Sequence, residues 1–316
     1  MEQLQMKTLL AVAVTLVFWS SAFAGIRAGL FGGYSPGHLV LLRFLSASLV
    51  FVVYALVRKV KVPERKDWPR VIGLGVCGIS IYHIALTFGE MTVPSGTASL
   101  LIAAAPAITA LIAAVVLGER LSGTGWFGIL LGFAGIALIT FGSGEHPGFT
   151  KGALLILLSA LATSMFFVFQ KPLFARYSAI DLTAYFTWTG TVPMLVFLPG
   201  FWHDVTHATA AATWSGIYIG VFPAAIAYVA WAIALSSGKT AGVTSSLYIT
   251  PVLAILIGWI WLGEIPTALS IVGGMVALVG VIIVNLWGSR KAVGTAKPNA
   301  DMPQVCTSYP SQGTEG

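Results

Sequence analysis

The sequence contains very little charge. Only 9% of its 316 residues are Asp, Glu, Lys or Arg, whereas about 25% is usual for soluble globular domains. Hydrophobic residues make up 57% of the chain, which is more apolar surface than a soluble protein can hide behind a polar exterior. A bilayer span needs roughly 20 mostly apolar residues. The composition therefore excludes soluble enzymes, fibrous proteins and disordered chains, and it predicts a polytopic helical membrane protein.

Cysteine is equally scarce. Cys77 falls inside an apolar segment and Cys306 in a polar C-terminal stretch, so the two are expected in different compartments and are not expected to pair. Two isolated cysteines also provide no metal-binding spacing. We therefore expect no disulfide, no metal site and no cofactor.

Motifs that carry catalysis are missing as well. The sequence has no HExxH, no GxSxG and no paired carboxylates at membrane depth, and it has no phosphate-binding loop, which argues against ATP as the energy source. A membrane enzyme remains the alternative from a different functional class. A receptor or scaffold is a third interpretation, but the short loops leave no room for a soluble binding module.

The net charge of +6 does not indicate a nucleic-acid partner, because the charges lie in short loops between apolar runs. If the N-terminus is cytoplasmic, fourteen Lys and Arg residues fall on the inner side and two, Arg27 and Lys151, on the outer side. Cytoplasmic loops of membrane proteins carry such an excess. The bias places both termini in the cytoplasm and requires an even number of spans.

Ten apolar runs predict ten transmembrane helices. A signal peptide is an alternative interpretation of the first run, because Ala22-Phe23-Ala24 resembles a cleavage site. The apolar character continues to Leu30, however, which favours a membrane helix. Residues 289–316 lose the pattern, contain three prolines and are predicted to form a disordered cytoplasmic tail. The runs are 7–30, 37–57, 70–91, 95–117, 124–142, 151–172, 181–199, 212–235, 242–262 and 268–287.

The chain also repeats itself at an offset of 145 residues. Five spans per repeat is an odd number, so the second copy must enter the membrane from the opposite side, as in many secondary transporters. Duplication for assembly alone is the alternative. We predict one five-helix repeat at 1–143 and an inverted second one at 144–288. The matching positions include Gly75-Val76 with Gly220-Val221, Pro106 with Pro251, and Leu117-Gly118-Glu119 with Leu262-Gly263-Glu264.

These residues resemble an EamA domain of the drug/metabolite transporter superfamily. The resemblance covers about residues 8–288 and departs from the pattern where Ile265-Pro266 replaces the usual Arg-Leu. It implies ten helices around a central cavity lined mainly by spans 1, 3, 4, 6, 8 and 9. Relatives export amino acids, other metabolites or drugs, and some import. It is carried by Phe18-Trp19-Ser20, Pro106, Leu117-Gly118-Glu119-Arg120-Leu121, the glycine-spaced fifth span, Pro251 and Leu262-Gly263-Glu264.

Polar residues in the third span mark a candidate site. Ser80, His83, Thr87 and Glu90 recur at helical spacing, and a polar stripe on a membrane helix is not expected to face lipid. Hydrogen bonding between helices is an equally good interpretation of the stripe. His83 lies mid-span and corresponds to Tyr228 in the second repeat, which favours cavity lining for these two.

Aromatic side chains away from the span ends complete the candidate substrate site, since an aromatic lining with few charges suits a small neutral or amphipathic solute. Packing is the alternative for each residue. Tryptophans near span ends, such as Trp214, are explained by the interfacial belt. The candidate substrate-binding residues are Trp19, Tyr82, His83, Phe167, Gln170, Tyr228, Trp231 and Tyr248.

Pro106 and Pro251 interrupt their helices at equivalent places and predict either a gating kink or a packing kink. The pairs Gly128/Gly132 and Gly216/Gly220 are expected to allow close helix packing. Arg43 lies inside the second span. It can reach the headgroups, bind a carboxylate or pair with Glu90, and we expect a structural role.

Together these observations predict a secondary transporter of the inner membrane that exports small metabolites, amino acids first, by alternating access. The alternatives are export of drugs or organic cations, and a non-transport membrane enzyme. His83 is the main candidate for proton coupling, and facilitated diffusion stays open. Expected partners are a small-molecule substrate and the lipid bilayer, with the protein a monomer or homodimer.

Overall fold

The computed structural model describes residues 2–103, 105–116, 122–142, 150–237 and 246–287, and within these ranges every regular element is a helix. The predicted Leu117–Leu121 motif with Glu119, and the predicted tail at 289–316, lie outside the described residues. The side chains of Pro106 and Tyr248 lie outside them too.

The first half of the chain forms helices close to the predicted spans. The third span is one helix with a π-helical turn, Val76–Ile81, in its middle, and the fourth is broken into two helices after Ile102. The helices are α1 (Glu2–Phe31), α2 (Pro36–Val57), α3 (Trp68–Gly75), α4 (Tyr82–Gly89), α5 (Ser95–Ile102), α6 (Ala105–Val116) and α7 (Gly123–Gly142).

The second half follows the same order and also contains a π-helical turn, Phe222–Ile226, between α11 and α12. Its helices are α8 (Lys151–Gln170), α9 (Ala179–Met194), α10 (Phe201–His207), α11 (Ala210–Val221), α12 (Ala227–Ser237), α13 (Thr250–Leu262) and α14 (Ala268–Trp287).

The short helix α10 was not predicted, because its polar residues interrupt the apolar pattern. Asp204 ties it to the start of α2: its Oδ2 accepts a hydrogen bond from the Ser35 backbone N–H at 2.8 Å and bonds to His38 Nδ1 at 2.6 Å. Burial of Asp204 opposes its ionisation, but these bonds outweigh the burial and lower its pKa to about 2. The carboxylate is therefore ionised at neutral pH.

Five helices among the described residues are long and apolar enough to cross a membrane: Thr8–Phe31, Pro36–Val57, Arg65–Gly89, Lys151–Ala175 and Ala210–Trp231. Shorter apolar helices occur at Ser95–Thr109, Gly123–Ile139, Thr250–Leu262 and Ala268–Val284. Apolar side chains cover the outside of the bundle, as lipid contact requires.

Each half of the chain packs its first helix into the other half. Helix α1 lies against α11, α12 and α13, and α8 lies against α4 and α6. Thr15 on α1 donates a hydrogen bond to the carbonyl of Ala227 at 3.3 Å, and Ser159 on α8 donates one to the carbonyl of Tyr82 at 2.9 Å. Ala227 and Tyr82 are 145 residues apart, so the repeat seen in the sequence recurs in the contacts.

A second pair of bonds repeats in the same way. Ser20 donates to the carbonyl of Thr250 at 3.1 Å, and Ser164 donates to the carbonyl of Ala105 at 2.9 Å. The two acceptors are again 145 residues apart, whereas the donors are 144 apart. The first helices of the repeats are therefore offset by one residue relative to the rest.

The acceptors Ala105 and Thr250 immediately precede the two prolines. Pro106 is the second residue of α6, and Pro251 is the second residue of α13. Backbone N–H groups in the first turn of a helix have no acceptor within that helix. Proline, which lacks an N–H, is therefore well tolerated there. Both prolines thus stand at helix starts rather than at mid-helix kinks, and a gating role for them stays a prediction.

Helices α7 and α14, which correspond by the repeat, pack along their length with glycines in contact. A Cβ on Gly128 would lie 2.7 Å from the carbonyl oxygen of Gly280, and one on Gly135 would lie 2.6 Å from that of Gly273. Residues later in α7 contact residues earlier in α14, so the two helices are antiparallel. The predicted packing role of Gly128 is confirmed by these contacts.

Helices α2 and α9 correspond by the repeat as well, and they are also antiparallel. Ser48 bonds to Thr191 at 2.9 Å, and Gly37, nearer the start of α2, lies against Phe197 beyond the end of α9. Two equivalent pairs in antiparallel contact are what an inverted repeat requires, because a twofold axis then lies across the helices rather than along them.

A buried ion pair joins α1 to α13 at one end of the bundle. Arg27 Nη2 lies 2.8 Å from Glu264 Oε1, with 10% and 13% of the two side chains exposed. Arg27 also donates to the backbone carbonyls of Glu90 and Met91, and Glu264 accepts from the N–H and hydroxyl of Ser95, both at 2.9 Å. This network closes the bundle between α1, α4, α5 and α13.

We predict that Gly135→Ala destabilises the protein, because the added Cβ would overlap the backbone nitrogen of Ala277. Overpacking of this kind costs about 1–3 kcal/mol. Gly73→Ala is the matched control, since nothing lies within 4 Å of a Cβ at Gly73 and alanine favours a helix. Thermal unfolding in detergent should separate the two variants, and equal midpoints would contradict the close α7–α14 contact.

We also predict that Arg27→Gln destabilises the protein more than Arg27→Gln combined with Glu264→Gln. Removing one partner of a buried ion pair leaves an uncompensated charge, at a cost of about 3–5 kcal/mol, and the double variant removes both charges. A double-mutant cycle on thermal unfolding measures the coupling, with Arg58→Gln on the exposed end of α2 as control. Strictly additive effects would show that the pair does not hold the bundle closed.

Candidate functional site

Four side chains buried inside the bundle carry polar atoms that lack a hydrogen-bond partner among the described residues. Arg43 comes from α2, His83 and Thr87 from α4, and Glu90 from the residue that follows α4. We call these four residues the central polar group. Thr250, at the start of α13, has an unpartnered buried hydroxyl too.

Arg43 is only 4% exposed, and its Nε and Nη1 find no hydrogen-bond partner in the described part of the chain. Its guanidinium lies 5.5 Å from the centre of the Phe44 ring. Tyr82, Tyr228 and Glu90 are within electrostatic range of it. The side chain therefore stays inside the bundle and does not reach the headgroups, and it does not form the hydrogen-bonded pair with Glu90 that the sequence allowed.

His83 is 2% exposed, and neither ring nitrogen has a partner in the described ranges. Its ring lies 4.5 Å from that of Phe44 and 4.3 Å from that of Tyr82, centre to centre. Two aromatic neighbours hold the imidazole in place, and its two ring nitrogens are buried without a hydrogen-bond partner among the described residues.

Thr87 and Glu90 continue the same face of α4, and they are 1% and 0% exposed. Ser80 behaves differently, because its hydroxyl donates to the carbonyl of Gly190 on α9 at 2.6 Å. The predicted polar stripe thus divides: Ser80, in the π-helical turn, joins two helices, and the other three residues belong to the central polar group.

Burial without partners is costly for groups of this kind. An isolated buried hydroxyl or amide costs about 2–7 kcal/mol in an apolar environment, and an isolated charge costs far more. Native structures satisfy the great majority of such atoms. A concentration of unpartnered polar atoms is therefore explained best by a ligand or by water that completes the hydrogen bonds.

Three of the predicted aromatic residues come together beside this group. The Trp19 ring lies 5.3 Å from that of Tyr228 and 5.5 Å from that of Trp231. Trp19 Nε1 also donates to the carbonyl of Pro223 at 3.2 Å, in the π-helical turn that precedes α12. A Cβ on Gly220 would overlap the carbonyl oxygen of Arg43, so the chain just before this π-helical turn packs against α2 at Arg43.

Phe167 and Gln170 lie further along α8. Phe167 is 40% exposed although its counterpart on α1 by the 144-residue offset, Phe23, is 6% exposed. Met165 is exposed on the outer face of α8. At 100° per residue, Phe167 points about 160° away from Met165 and so faces the inside of the bundle. Its exposed fraction shows that the bundle is open at this point. Gln170 is buried. At a rise of 1.5 Å per residue it lies about 16 Å further along α8 than Ser159.

Two apolar grooves lie elsewhere on the described surface. One apolar groove of about 390 Å³ is lined by residues of α3 and α8, and another of about 320 Å³ lies between α4 and α8. Neither is lined by the central polar group. Within the described ranges, no cluster of His, Cys, Asp and Glu is suited to hold a metal ion.

Sequence reasoning identified His83, Tyr82 and Tyr228 as candidates but left Arg43, Thr87 and Glu90 outside the proposed site. A signal for Glu90 and Thr87 was present in their helical spacing from His83. Arg43 was recognisable as the one fully charged residue well inside a span. The direction of its side chain, however, depends on how α2 packs in the bundle. Tyr248 has no described side chain.

The central polar group is also asymmetric. By the 145-residue offset, Arg43 corresponds to Trp188 and His83 to Tyr228. The hydrogen bonds that join the two halves are duplicated, whereas the arginine and histidine that are buried among the described residues belong to the first half. Symmetric contacts thus build the bundle, and unsymmetric residues give the interior its chemistry.

Comparison with known proteins agrees with this architecture. The chain is 40% identical over 286 residues to the "Uncharacterized transporter YdfC" of Bacillus subtilis, covering 90% of this chain and 93% of the relative. It is 39% identical over 291 residues to the "Probable terminal-alkyne amino-acid exporter" of Streptantibioticus cattleyicolor, covering 92% and 97%. It is 27% identical to the "Uncharacterized inner membrane transporter YedA" of Escherichia coli K12, covering 91% and 92%.

A solved crystal structure superposes with a TM-score of 0.61 at 22% identity, covering 89% of this chain and 98% of the other. At that identity the likeness shows the fold alone. The model of the EamA-like transporter family matches twice, at residues 6–141 and 150–286. With both halves matched, the chain is a multi-pass membrane protein that belongs to the EamA-like transporter family.

Proposed function

We propose that the protein exports small metabolites, amino acids first, across the inner membrane by alternating access, and that it acts as a transporter rather than an enzyme. The observation that carries the proposal is the central polar group. Its polar atoms are buried and unpartnered among the described residues, whereas other buried polar groups such as Ser20 and Ser164 bond to neighbouring helices, and a solute can complete the missing hydrogen bonds. Intramembrane ionisable residues commonly mark such sites.

The proposed topology has ten spans in two inverted five-helix repeats, 1–143 and 144–288, with both termini in the cytoplasm. The antiparallel contacts of α7 with α14 and of α2 with α9 support the inversion. The excess of Lys and Arg in one set of loops supports the orientation. The protein acts as a monomer or homodimer in this proposal.

Alternating access also explains why the two ends of the bundle differ. Arg27 and Glu264 close the end that the charge bias places outside. At the opposite end Phe167 is exposed although it faces inward. In the proposal this structure represents a state that is closed to the outside and open toward the cytoplasm, and the inverted repeat supplies a second state of similar energy.

Amino acids are the leading substrate class for two reasons. Arg43 offers a buried cation suited to a carboxylate, and a relative with 39% identity is named a probable amino-acid exporter. Organic cations are the second candidate, because the rings of Trp19, Tyr228 and Trp231 lie close together and aromatic rings attract cations.

Transport driven by a proton gradient requires a titratable group in contact with the solute path. His83 is the proposed coupling group, because both of its ring nitrogens are unpartnered. Facilitated diffusion is the alternative. Transport into liposomes with and without an imposed pH gradient distinguishes the two.

We predict that His83→Ala and Tyr228→Phe each reduce substrate movement at least tenfold in reconstituted liposomes while the protein still inserts and purifies as before. The first change removes polar atoms of the site, and the second removes the hydroxyl from a ring that packs against Trp19. The assay uses labelled amino acids, organic acids and organic cations. Trp214→Phe, which alters an exposed residue in the first half of α11, is the control.

Unchanged movement in both variants would remove these residues from the site. If organic cations move and amino acids do not, the second substrate class is correct. If none of the panel moves with wild-type protein under either pH condition, the transport proposal itself fails.

We predict that cysteines introduced at positions 119 and 265 are labelled from opposite sides of the membrane. The first position precedes the fifth span, and the second precedes its counterpart in the other repeat, where Ile265 is exposed. Cys77 and Cys306 are first replaced by serine. An impermeant maleimide on intact cells and on inverted vesicles gives the measurement. Labelling of both positions from the same side would exclude the inverted topology.

A further inference from the structure

The apolar groove of about 390 Å³ runs along α3 and the π-helical turn that follows it, against α8. Gly73 and Met165 in its lining are exposed, so the groove opens on the outside of the bundle, where lipid lies. Arg70 is the charged residue of the lining. The groove thus joins an apolar surface to one guanidinium group. The remaining lining residues are Leu74, Cys77 and Phe169.

The groove exists because the two halves of the chain differ here. By the 145-residue offset, Gly73 and Cys77 correspond to Tyr218 and Phe222. The rings of Tyr218 and Phe222 pack against that of Phe18, with centres 6.3 Å and 5.1 Å apart, and so fill the equivalent place between α11 and α1. In the first half nothing lies within 4 Å of a Cβ at Gly73. Two small residues therefore leave a space that aromatic rings occupy in the other repeat.

Arg70 makes a hydrogen bond that the repeat requires and has donors left over. Its Nε donates to the carbonyl of Phe169 at 3.1 Å, and the hydroxyl of Ser215 donates to the carbonyl of Gly25 at 2.8 Å. The donors are 145 residues apart and the acceptors 144 apart, so the two bonds are equivalent. A serine has one hydroxyl donor, whereas a guanidinium has five N–H donors. Arg70 therefore keeps its terminal nitrogens at the groove after making the shared bond.

The charge of Arg70 has no carboxylate partner among the described residues, because each ion pair found there uses another cation. Arg65 and Lys66 are exposed just before α3 and add to the positive charge at this end of the groove. In the proposed orientation these groups lie at the cytoplasmic leaflet. Anionic lipids of that leaflet attract basic residues next to membrane helices, and basic pockets between helices hold their headgroups.

The depth of the groove matches part of an acyl chain. Arg70 is the third residue of α3, and Cys77 lies about 10 Å further along the helix at 1.5 Å per residue. One leaflet contributes about 15 Å of hydrocarbon to the bilayer core. A lipid whose phosphate contacts Arg70 therefore places the first part of a chain along the groove.

We propose that this groove binds one anionic glycerophospholipid of the cytoplasmic leaflet, with an acyl chain along Gly73 and Cys77 and the phosphate on Arg70. Arginine suits this role because its donors form a planar fork that matches a phosphate. The second groove, between α4 and α8, is lined by apolar residues alone, so it has no group that selects a headgroup. The assignment does not depend on which solute the protein carries.

The test is native mass spectrometry of the full-length protein in detergent, titrated with dioleoyl phosphatidylglycerol and with dioleoyl phosphatidylcholine, which carry the same acyl chains. We expect phosphatidylglycerol to bind about fivefold more tightly, the effect of one basic group facing an anionic lipid. Equal binding of the two lipids by the wild-type protein would overturn the headgroup contact.

A third titrant separates the lipid from a free phosphate. Glycerol 3-phosphate has the charged part of the lipid without its chains, and we expect it not to displace phosphatidylglycerol at equal concentration. Displacement at equal concentration would show that the apolar groove contributes nothing, and it would overturn the proposal.

Two variants should change lipid binding in different ways. Arg70→Gln is expected to abolish the preference for phosphatidylglycerol and to leave the binding of phosphatidylcholine within twofold. Gly73→Leu fills the groove and is expected to weaken both lipids at least fivefold. The matched controls are Arg58→Gln, at an exposed residue, and Gly123→Leu, because nothing lies within 4 Å of a Cβ at Gly123 either. A preference that survives Arg70→Gln, or wild-type binding of both lipids by Gly73→Leu, would contradict the assignment.

Two further variants guard against effects of misfolding. Arg70→Lys keeps the charge and should retain part of the preference for phosphatidylglycerol, whereas a purely structural arginine would give the same loss with lysine as with glutamine. Cys77→Phe introduces the ring that the second half has at Phe222 and should weaken both lipids as Gly73→Leu does. Thermal unfolding without added lipid checks that each variant is folded, and the comparison of lipids on the wild-type protein requires no variant.

Discussion

Everything in this molecule depends on the absence of water in the bilayer core, where each polar group must find its partner inside the protein. The helices satisfy most of the backbone internally. Hydroxyl groups such as those of Ser20 and Ser164 bond carbonyls of a neighbouring helix, and the Arg27–Glu264 pair neutralises two charges at once. Against this background the unsatisfied groups of the described residues stand out: three lie along one face of α4 and its end, and Arg43 follows on α2, which contacts α4 where Phe44 meets His83.

The contacts divide into a symmetric and an asymmetric set. Hydrogen bonds from the first helix of each half, glycine contacts between α7 and α14, and π-helical turns at equivalent places recur in both halves. Wide turns of this kind often occur at functional sites. Arg43, His83 and Glu90 belong to α2 and α4 of the first half. The contacts repeated in both halves thus account for the architecture of the bundle. Residues that differ between the halves account for the polar groups in its interior.

Much of the fold was accessible from the sequence because long apolar runs have few alternatives in lipid. The repeat was visible too, since glycine and proline recur at a constant offset. Helix α10 was missed because Asp204 and its histidine neighbours break the apolar pattern. The one-residue shift of α1 relative to α8 needed the hydrogen bonds of Ser20 and Ser164. The direction of Arg43 was hidden because side-chain direction follows from helix packing rather than from position along a span.

The asymmetry of the site has a consequence for how such proteins diversify. Under the proposed function, changes at a handful of positions on α2 and α4 would alter the solute that is accepted, while the contacts repeated in both halves stay intact. Related proteins can therefore acquire new substrates through point mutations, without changes to the packing of the two repeats. A single ancestral machine can in this way give rise to many transporters whose selectivity differs although their mechanics are shared.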